Sequence, residues 1–581
     1  MGFIEYINLS SRIRALQSLN KFPNTTEVAN PIWCPIEGSI PPWVNGILYR
    51  TGPGKYNLGD DKKKQYVIQH AFDGLPFVHR FELSSERQAV RYNNRLISDA
   101  VERRLVADPN ANEIFFGHIP NLSTWRSFTN LLGRIAGMAT STRKSEMDPS
   151  DDTVGVTVTP NFPLPSKFGS VANSDNDHVL VTKTDANILQ QVHSNTLEPK
   201  RLFDYGEYDE RLDGILSAAH HQRDPKTEDI FNFSINFGRN PAMKVFRIDS
   251  TGKETQVLAT IRERLLPEGQ RSTYLPAYVH SFWLTENYVI IPESPLHYAN
   301  NGVDVLVHGA VATAMAWKED SPAYLHIISR DPSIGHVVSL PVDPFFTFHT
   351  GNAWDSLDSD GNPVIDMDCC AFSNGDILYQ INRYGDMERF AGEYKKAHNG
   401  SYPNGAGKQR NISLAGGPFQ FGDLRRYRAT WSKNTGKATC RVIAKNMEFP
   451  RFAPQLACQK TRYLWGCQHE DATATHSERF SLIKVDTETG DVIKYDREST
   501  MFSEPVFVPN PRSKTGDEDD GALLSFANVF DPRGPSYDRC ILSIVNASTM
   551  QEIGRCNIGQ FVTNTFHGSY VDVDFVSVAI N

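Results

Sequence analysis

The segment Pro276–Pro295 reads PAYVHSFWLTENYVIIPESP, in which a turn separates two short apolar runs. Short apolar runs bounded by turn residues are typical of buried β-strands. His280 lies near the end of the first run, where an imidazole without a polar partner would destabilise the fold. The segment therefore predicts two strands of a buried sheet, and it raises the question of what His280 is bonded to.

Short β-type runs of the same kind extend over most of the 581 residues. HVLVTKT (178–184), EDIFNFSINF (228–237) and CILSIVNA (540–547) are examples, and Gly, Asn, Asp and Pro turns separate them. This pattern favours an all-β sandwich, barrel or propeller over alternating strand–helix units. Because no linker-like composition divides the chain, we predict one domain over 1–581, with a helix at its start within 1–25.

Composition limits the function classes. The chain has 59 Lys and Arg against 68 Asp and Glu, and no basic arm, which argues against nucleic acid as the main partner. Its 8 cysteines form no CxxC pair, so neither a zinc ribbon nor a thioredoxin-type site is predicted. Few cysteines and no signal peptide indicate a reducing cytosol, and no apolar window is long enough to span a bilayer.

The segment STWRSFTNLLGRIAGMA (123–139) has apolar residues at helical spacing, with Arg126 and Arg134 between them. One interpretation is a helix that covers the core. The other is a helix lying in the plane of a membrane surface, with apolar side chains in the lipid and arginines at the head groups. The sequence leaves both interpretations open.

Four histidines recur in similar local settings. They are His220 in AAHHQRDP, His280 in YVHSFW, His349 in FTFHTGN and His567 in NTFHGSY. The first three each precede a turn and an apolar strand, and the fourth runs almost directly into the last strand. Such a weak, irregular repeat is found in closed radial sheets. If each histidine lies on the innermost strand of a blade, all four meet on one axis and form a metal site, whereas any one alone is more often a core residue.

A shell of four imidazoles suits Fe, Zn, Cu or Ni. Metal-bound imidazoles usually donate their second N–H to a carboxylate, which fixes the tautomer. Glu448 in NMEFPRF and Glu504 in FSEPVFV lie between apolar residues, where an unpaired charge would be costly. We predict this role for both, the alternative being acids at strand ends that face water.

The motifs AHHQRDP, YVHSF, FHTGNAWD, MEFPR, SEPVFVP and FHG, with HAFDGLPFVHRF (70–81), resemble the carotenoid cleavage oxygenase family in order and spacing. The resemblance extends from about residue 30 to the end of the chain. It is strongest to fungal torulene- and carotene-cleaving members and to the branch of the animal β-carotene oxygenases and the retinal pigment epithelium isomerase. It implies a seven-bladed β-propeller with a cap of helices and loops over the metal-bearing face.

The resemblance also implies the site. Fe(II) would be held by four ligands, which fall on His220, His280, His349 and His567. The carboxylates that orient these ligands fall on Asp185, Glu448 and Glu504. Most relatives carry Glu where this chain has Asp185, so we expect its shorter side chain to make a longer bond or to need a bridging water.

The implied activity is O2-dependent cleavage of one C=C bond of a carotenoid or apocarotenoid to two carbonyl products, with torulene favoured. Alternatives are a stilbene such as resveratrol as substrate, an isomerohydrolase, and a propeller without catalysis. A polyene needs an apolar tunnel. Candidate tunnel residues are Trp125, Phe128, Phe345, Phe346 and Trp354.

Because carotenoids reside in membranes, the resemblance favours membrane contact through 123–139. We therefore predict a cytoplasmic protein associated peripherally with membranes or lipid droplets. The sequence leaves the oligomeric state open.

Overall fold

The computed structural model describes residues 22–59, 66–68, 70–109, 111–118, 129–130, 132, 144–168, 178–318, 320–381, 421–432, 435–470, 479–513, 516–574 and 578–579. Antiparallel strands dominate these residues, because β-branched and aromatic runs alternate with turn residues. The predicted all-β class is confirmed. The predicted helix within 1–25 lies outside the described residues except for 22–25, and of segment 123–139 only 129, 130 and 132 are described.

Strand pairing divides the β-structure into seven antiparallel blades, numbered I to VII here. Blades I to IV are separate four-stranded sheets. From the innermost strand outward, blade I has Thr157–Pro160, Val179–Lys183, Leu189–His193 and Pro199–Phe203; blade II has Gln222–Arg223, Ile230–Asn236, Ala242–Ile248 and Thr255–Ile261; blade III has Trp283–Leu284, Tyr288–Glu293, Ala323–Ser329 and His336–Val342; blade IV has Phe346–Leu357, Pro363–Phe372, Asp423–Trp431 and Gly436–Ala444.

Blades V to VII share one hydrogen-bonded network, because two further strands cross between them. Blade V has Met447–Arg451, Tyr463–Glu470, Arg479–Asp486 and Val492–Tyr495; blade VI has Val506–Pro509, Gly521–Val529, Arg539–Asn546 and Glu552–Gly559; blade VII has His567–Asp572, Gly46–Lys55, Leu75–Ser84 and Ala89–Leu96. Thr500–Phe502 pairs with strands of blades V and VI. Ile32–Gly38 pairs with the outer strands of blades VI and VII.

Blade VII closes the ring, because it combines the last long strand of the chain with three strands from its beginning. His567–Asp572 pairs with Gly46–Lys55, and it also contacts the innermost strands of blades I and VI. The fold is therefore the predicted seven-bladed β-propeller.

The remaining elements are short. Further strands are Asn57–Leu58, Tyr66–Val67, Glu263–Leu265, Arg271–Thr273, Leu296–Tyr298, Met315–Trp317 and Val578–Ala579. The α-helices that lie wholly within the described residues are Asp99–Ala107, Val303–His308 and Ile377–Gln380. The 3-10 turns are Lys144–Glu146, Ser166–Phe168, Tyr205–Glu207, Glu210–Leu212, Pro267–Gly269, Ala299–Gly302, Ala312–Ala314, Pro454–Leu456 and Pro535–Tyr537. No helix in the described parts of the chain is long and apolar enough to span a bilayer.

Apolar side chains fill the space between neighbouring blades, and burial of this surface is the main stabilising contribution. Between blades III and IV, Trp283 and Tyr427 belong to one buried cluster. The Trp283 indole N–H donates to the Asp368 carbonyl at 2.6 Å, so its polar atom is also satisfied.

The three helices cap one face of the propeller. In each blade the innermost strand begins on one face of the ring, and the antiparallel second strand ends on that same face. Glu293 and Phe372 end the second strands of blades III and IV, so the long connections that follow them leave from this face. Val101, Val305 and Ile377, one from each helix, pack in one buried cluster over it. The predicted cap is confirmed.

Candidate metal centre

The four predicted histidines lie at the cap-side ends of four innermost strands. His220 lies two residues before the strand Gln222–Arg223, and His280 lies three residues before Trp283–Leu284. His349 is the fourth residue of its strand and His567 is the first of its own. All four side chains are buried. Because the innermost strands surround one axis, their first residues meet on it.

The geometry of the four imidazoles fits a metal ion. His220 Nε2 lies 3.1 Å from both His280 Nε2 and His567 Nε2, and His349 Nε2 lies 3.1 Å from His567 Nε2. All four ligand nitrogens lie within 4.8 Å of one another. Around an ion with metal–nitrogen bonds of about 2.1 Å, ligands at right angles lie about 3.0 Å apart. The donor set therefore fits one divalent transition metal.

Three of the imidazoles, those of His220, His349 and His567, are held in the neutral form that binds metals. Burial, together with repulsion from the neighbouring imidazoles, lowers the pKa of His220 and of His349 well below the usual value. Burial lowers the pKa of His567 to about 3, although Glu504 acts in the opposite direction. Neutral rings can point a lone pair at a cation.

His280 is bonded to Asp185. Its Nδ1 lies 2.8 and 3.0 Å from the two carboxylate oxygens, so Nε2 is directed to the axis. The expected longer bond or bridging water at Asp185 is wrong. The Asp185 carbonyl accepts from Ser217 N at 3.0 Å and its Oδ1 accepts from Ala219 N at 3.2 Å, which brings the shorter side chain close enough.

Glu448 and Glu504 each contact one further predicted metal ligand, His349 and His567 respectively. His349 Nδ1 lies 2.6 Å from Glu448 Oε2, and His567 Nδ1 lies 2.9 Å from Glu504 Oε1. Burial raises the pKa of Glu448 to about 8. Burial also acts to raise the pKa of Glu504, but the charge of Arg451 and the contact with His567 outweigh it and lower that pKa to about 2. A cation at the centre would favour the ionised form of both carboxylates.

His220 differs from the other three, since no carboxylate of the described residues contacts its ring. The peptides before it fix its position instead. Asn232 accepts from Ala218 N at 3.2 Å and donates to Ala218 O at 3.0 Å. Thr157 Oγ1 donates to Ala219 O at 2.8 Å. The structure thus brings all seven predicted site residues together, and their role in metal binding remains a prediction.

A cavity of about 690 Å³ opens beside the four imidazoles, under the cap. Many aromatic side chains line it. Tyr278, Phe348, Phe449 and Phe566 each have a ring centroid within 6.5 Å of that of one of the four histidines. Phe72 and Phe116 pack against these rings. Tyr278 donates its hydroxyl to Asp185 Oδ2 at 2.8 Å, so the wall and the metal centre share a hydrogen bond.

The cavity wall differs from the predicted tunnel residues. Phe345, Phe346 and Trp354 do not line it. Phe345 packs on Tyr427 between blades, at 4.8 Å between ring centroids, and Trp354 lies under the Arg426 guanidinium. The prediction chose the right segment but the wrong residues. Phe346 packs behind two cavity residues, with its ring centroid 4.8 Å from that of Phe348 and 6.0 Å from that of Tyr278. Trp125 and Phe128 lie outside the described residues.

The aromatic residues that do line the cavity carried a usable sequence signal. Tyr278 comes two residues before His280, so it points to the same side of an extended chain. Phe348 directly precedes His349, and it reaches the cavity because the strand pairing of Thr347–Thr350 is irregular. Only the first of these positions follows from strand periodicity.

The fold and the site define the class as a β-propeller with four convergent imidazoles on its axis, a donor set that fits a metal ion, and an apolar cavity beside them. Residues 21–572 match the family described as retinal pigment epithelial membrane protein. The chain therefore belongs to this family of carotenoid oxygenases and related proteins, and the predicted resemblance is confirmed.

Individual relatives agree with this assignment. A carotenoid dioxygenase of Neurospora crassa is 27% identical over 95% of this chain and 90% of its own length. A torulene dioxygenase of Gibberella fujikuroi is 27% identical over 95% of this chain and 92% of its own length. Among solved structures, a cobalt-substituted apocarotenoid oxygenase of Synechocystis superposes with a TM-score of 0.66 at 18% identity, covering 98% of this chain and 99% of that chain.

Proposed function

We propose that this enzyme of the carotenoid oxygenase family cleaves one C=C bond of a carotenoid or apocarotenoid with O2, and that torulene is the favoured substrate. The observation that carries the proposal is the cluster of four imidazole nitrogens, of which those of His280, His349 and His567 belong to residues that line a large aromatic cavity. The two torulene dioxygenases among the relatives support the choice of substrate.

We propose Fe(II) as the resident metal, held by His220, His280, His349 and His567. When bound, it supplies the activation of O2 that the cleavage requires. The chain's own residues hold and orient the reacting groups. Asp185, Glu448 and Glu504 fix three imidazole tautomers, while the aromatic wall positions the polyene and excludes water.

The size of the cavity favours a polyene over a stilbene. A cavity of about 150 Å³ holds one benzene, so a volume of 690 Å³ has room for roughly 28 carbon atoms. A stilbene would leave much of this space empty. An apocarotenoid would fill it. A full-length carotenoid would project where the cavity reaches the surface, beside the exposed residues Ile114 and Ile215, which we call the open end.

Peripheral membrane contact is proposed at that open end. Ile114 and Ile215 line the cavity and are 43% and 41% exposed, and Leu132, within segment 123–139, is 50% exposed. Exposed apolar side chains at an entrance suit a lipid surface from which an insoluble substrate is taken. The proposed location is therefore cytoplasmic, at membranes or lipid droplets.

The direct test uses iron-loaded protein prepared without oxygen and then given torulene, β-carotene or resveratrol in air. We expect two carbonyl products from torulene, identified by mass, with consumption of O2. Turnover of resveratrol alone would favour the stilbene alternative. Product formation without O2 would favour an isomerohydrolase, and no turnover of any substrate by iron-loaded protein would contradict the proposal.

A further inference from the structure

A second, smaller cavity of about 240 Å³ lies on the outer side of the ring, between blades V and VI. Four arginines line it: Arg497, Arg533, Arg539 and Arg555. We call it the arginine cleft. It is unusual for this chain, which carries a formal net charge of −9. The cleft is also distant in the fold from the axial imidazoles, since its strands are the outer ones of blade VI.

Strand register explains how the cleft is built. Arg539 and Ile541 lie two residues apart on one strand of blade VI, and Asn557 lies opposite Ile541 on the next strand. Arg555 lies two residues before Asn557 and pairs in register with Glu37 of the crossing strand. Side chains two apart share a face of a sheet, so this face collects the polar groups.

The carboxylates around the cleft are already bonded. Arg555 donates to Glu552 Oε1 at 2.7 Å and to Glu37 Oε2 at 2.5 Å. The Tyr495 hydroxyl donates to Glu552 Oε2. Arg533 donates to both oxygens of Asp531, each at 2.9 Å.

Arg497 and Arg539 are therefore left without a hydrogen-bonded carboxylate within the described chain. The Nη1 of Arg497 lies 3.8 Å from Glu552 Oε2, and that of Arg539 lies 3.9 Å from Asp531 Oδ2. Both distances exceed a hydrogen bond. The side chains are only 30% and 32% exposed, so each guanidinium lies partly buried near a carboxylate without donating a hydrogen bond to it.

We propose that the arginine cleft binds a phosphate-bearing anion through Arg497 and Arg539. A guanidinium presents a planar fork of donors that matches phosphate oxygens, and two forks suit a dianion. The remaining wall is compatible with such a ligand. The exposed amides of Asn557 and Gln560 add donors, and Tyr537 offers an aromatic face on which Arg533 is stacked at 4.2 Å.

The test is calorimetric titration of the full-length, metal-loaded protein with glycerol phosphate, a phosphate monoester that represents both a free metabolite and a lipid headgroup. We expect saturable binding at one site, weakened by added salt. The double variant Arg497→Gln/Arg539→Gln should bind at least about tenfold more weakly, since each lost charged hydrogen bond costs about that factor.

The matched control is Arg211→Gln/Arg271→Gln, which also removes two positive charges but from exposed side chains outside the cleft. It should bind like the unmodified protein. Gln560→Glu is a second variant at an exposed position, where a substitution should not affect folding. Its added carboxylate should compete with the anion for Arg497 and Arg539. Absence of saturable binding, or equal binding by the cleft variant and the control, would overturn the proposal.

Vesicles distinguish the two sources of the phosphate. If the ligand is a lipid headgroup, the protein sediments with phosphatidic acid vesicles more than with phosphatidylcholine, and glycerol phosphate releases it. If the ligand is a free phosphate ester, calorimetry shows binding but the two vesicles retain the protein equally. Retention by phosphatidic acid that persists in the cleft variant, without calorimetric binding by the unmodified protein, contradicts the site.

Discussion

At the scale of single residues, Asp185 connects three parts of the centre. Its carboxylate contacts His280 Nδ1, accepts from the Tyr278 hydroxyl, and accepts from the Ala219 amide that precedes His220. One short side chain thus orients one predicted ligand and positions the backbone of another. No carboxylate of the described residues contacts the His220 ring. The hydrogen bond from the Ala219 amide to Asp185 is therefore important for positioning His220.

His349→Ala should abolish retention of iron, because the centre loses one of four nitrogens and Glu448 loses its contact with an imidazole. Metal content per chain measures this loss. The β-type circular dichroism signal should persist, since the other contacts of the strand remain. His336→Ala, on the outer strand of blade III, is the control and should keep its iron. Full iron content in the His349 variant would show that the ligand is misassigned.

Tyr278→Phe should weaken metal affinity by roughly tenfold, the lower range for groups that orient a ligand. The substitution removes the hydroxyl that donates to Asp185 and keeps the ring in the cavity wall. Tyr298→Phe is matched, because Tyr298 also lines the cavity and its ring centroid lies 6.4 Å from that of Tyr278. Competition with a metal chelator compares the two, and equal affinities would refute the role of the hydroxyl.

At the scale of elements, close packing of the innermost strand of blade VII positions His567. A methyl group on Gly568 would lie 2.7 Å from the Tyr49 carbonyl oxygen and 2.9 Å from the Arg50 side chain. The Gly568 amide also donates to Glu504 Oε2 at 3.0 Å. The strand can therefore approach its neighbour closely enough to aim His567 at the axis only with glycine here.

Gly568→Ala should lower the free energy of unfolding by about 1–3 kcal/mol, the usual cost of overpacking, and should reduce iron content. Thermal unfolding and metal analysis provide the measurements. In Gly375→Ala the added methyl would meet the Leu296 side chain at 3.2 Å and the Trp317 ring at 3.3 Å, both farther away than the Tyr49 backbone oxygen is at Gly568, so this control should cost less. Comparable stability of the two variants would disprove the packing argument.

His79 gives blade VII a pH dependence. Its side chain is buried against Phe526 of blade VI, and burial together with the charge of Arg50 lowers its pKa from 6.5 to about 3. As pH falls below about 6.5, the unfolded chain takes up a proton that the folded chain refuses until about pH 3. The contribution of His79 to the free energy of unfolding is therefore fully present above pH 6.5, and it is lost progressively as the pH falls towards 3.

The His79→Gln variant should lose stability less steeply on acidification, by up to about 1.4 kcal/mol per pH unit, the slope for one proton. Urea unfolding at pH 7 and pH 5 compares the two proteins. Other titrating groups contribute equally to both and cancel in the difference. Identical pH dependence of the two proteins would contradict the assignment.

At the scale of the whole molecule, the ring depends on the pairing of its two chain ends. His567–Asp572 pairs with Gly46–Lys55 from Thr51 with His567 to Gly46 with Asp572. The same strand supplies a predicted metal ligand. The strand pairing that closes the propeller therefore also brings His567 to the cluster of four histidines.

Removal of residues 566–581 should prevent cooperative folding, because blade VII loses its innermost strand and the edge of Gly46–Lys55 that faced it loses its backbone hydrogen bonds. The near-ultraviolet circular dichroism and the sharpness of thermal unfolding report this. Removal of 580–581 alone is the control, because it leaves all described strands intact. A cooperatively folded protein after the longer truncation would show that the ring does not need this strand.

The sequence by itself determined the all-β class, because period-two apolar runs and turn residues are local properties of the chain. It also determined, through its resemblance to the carotenoid oxygenases, which four histidines and three carboxylates to examine. Tertiary structure alone decided that Asp185 meets His280 directly, which aromatic side chains line the cavity, and that Arg497 and Arg539 make no hydrogen bond to a carboxylate of the described residues. These are contacts between residues far apart in the chain, and their distances depend on how whole blades pack, which no local pattern encodes.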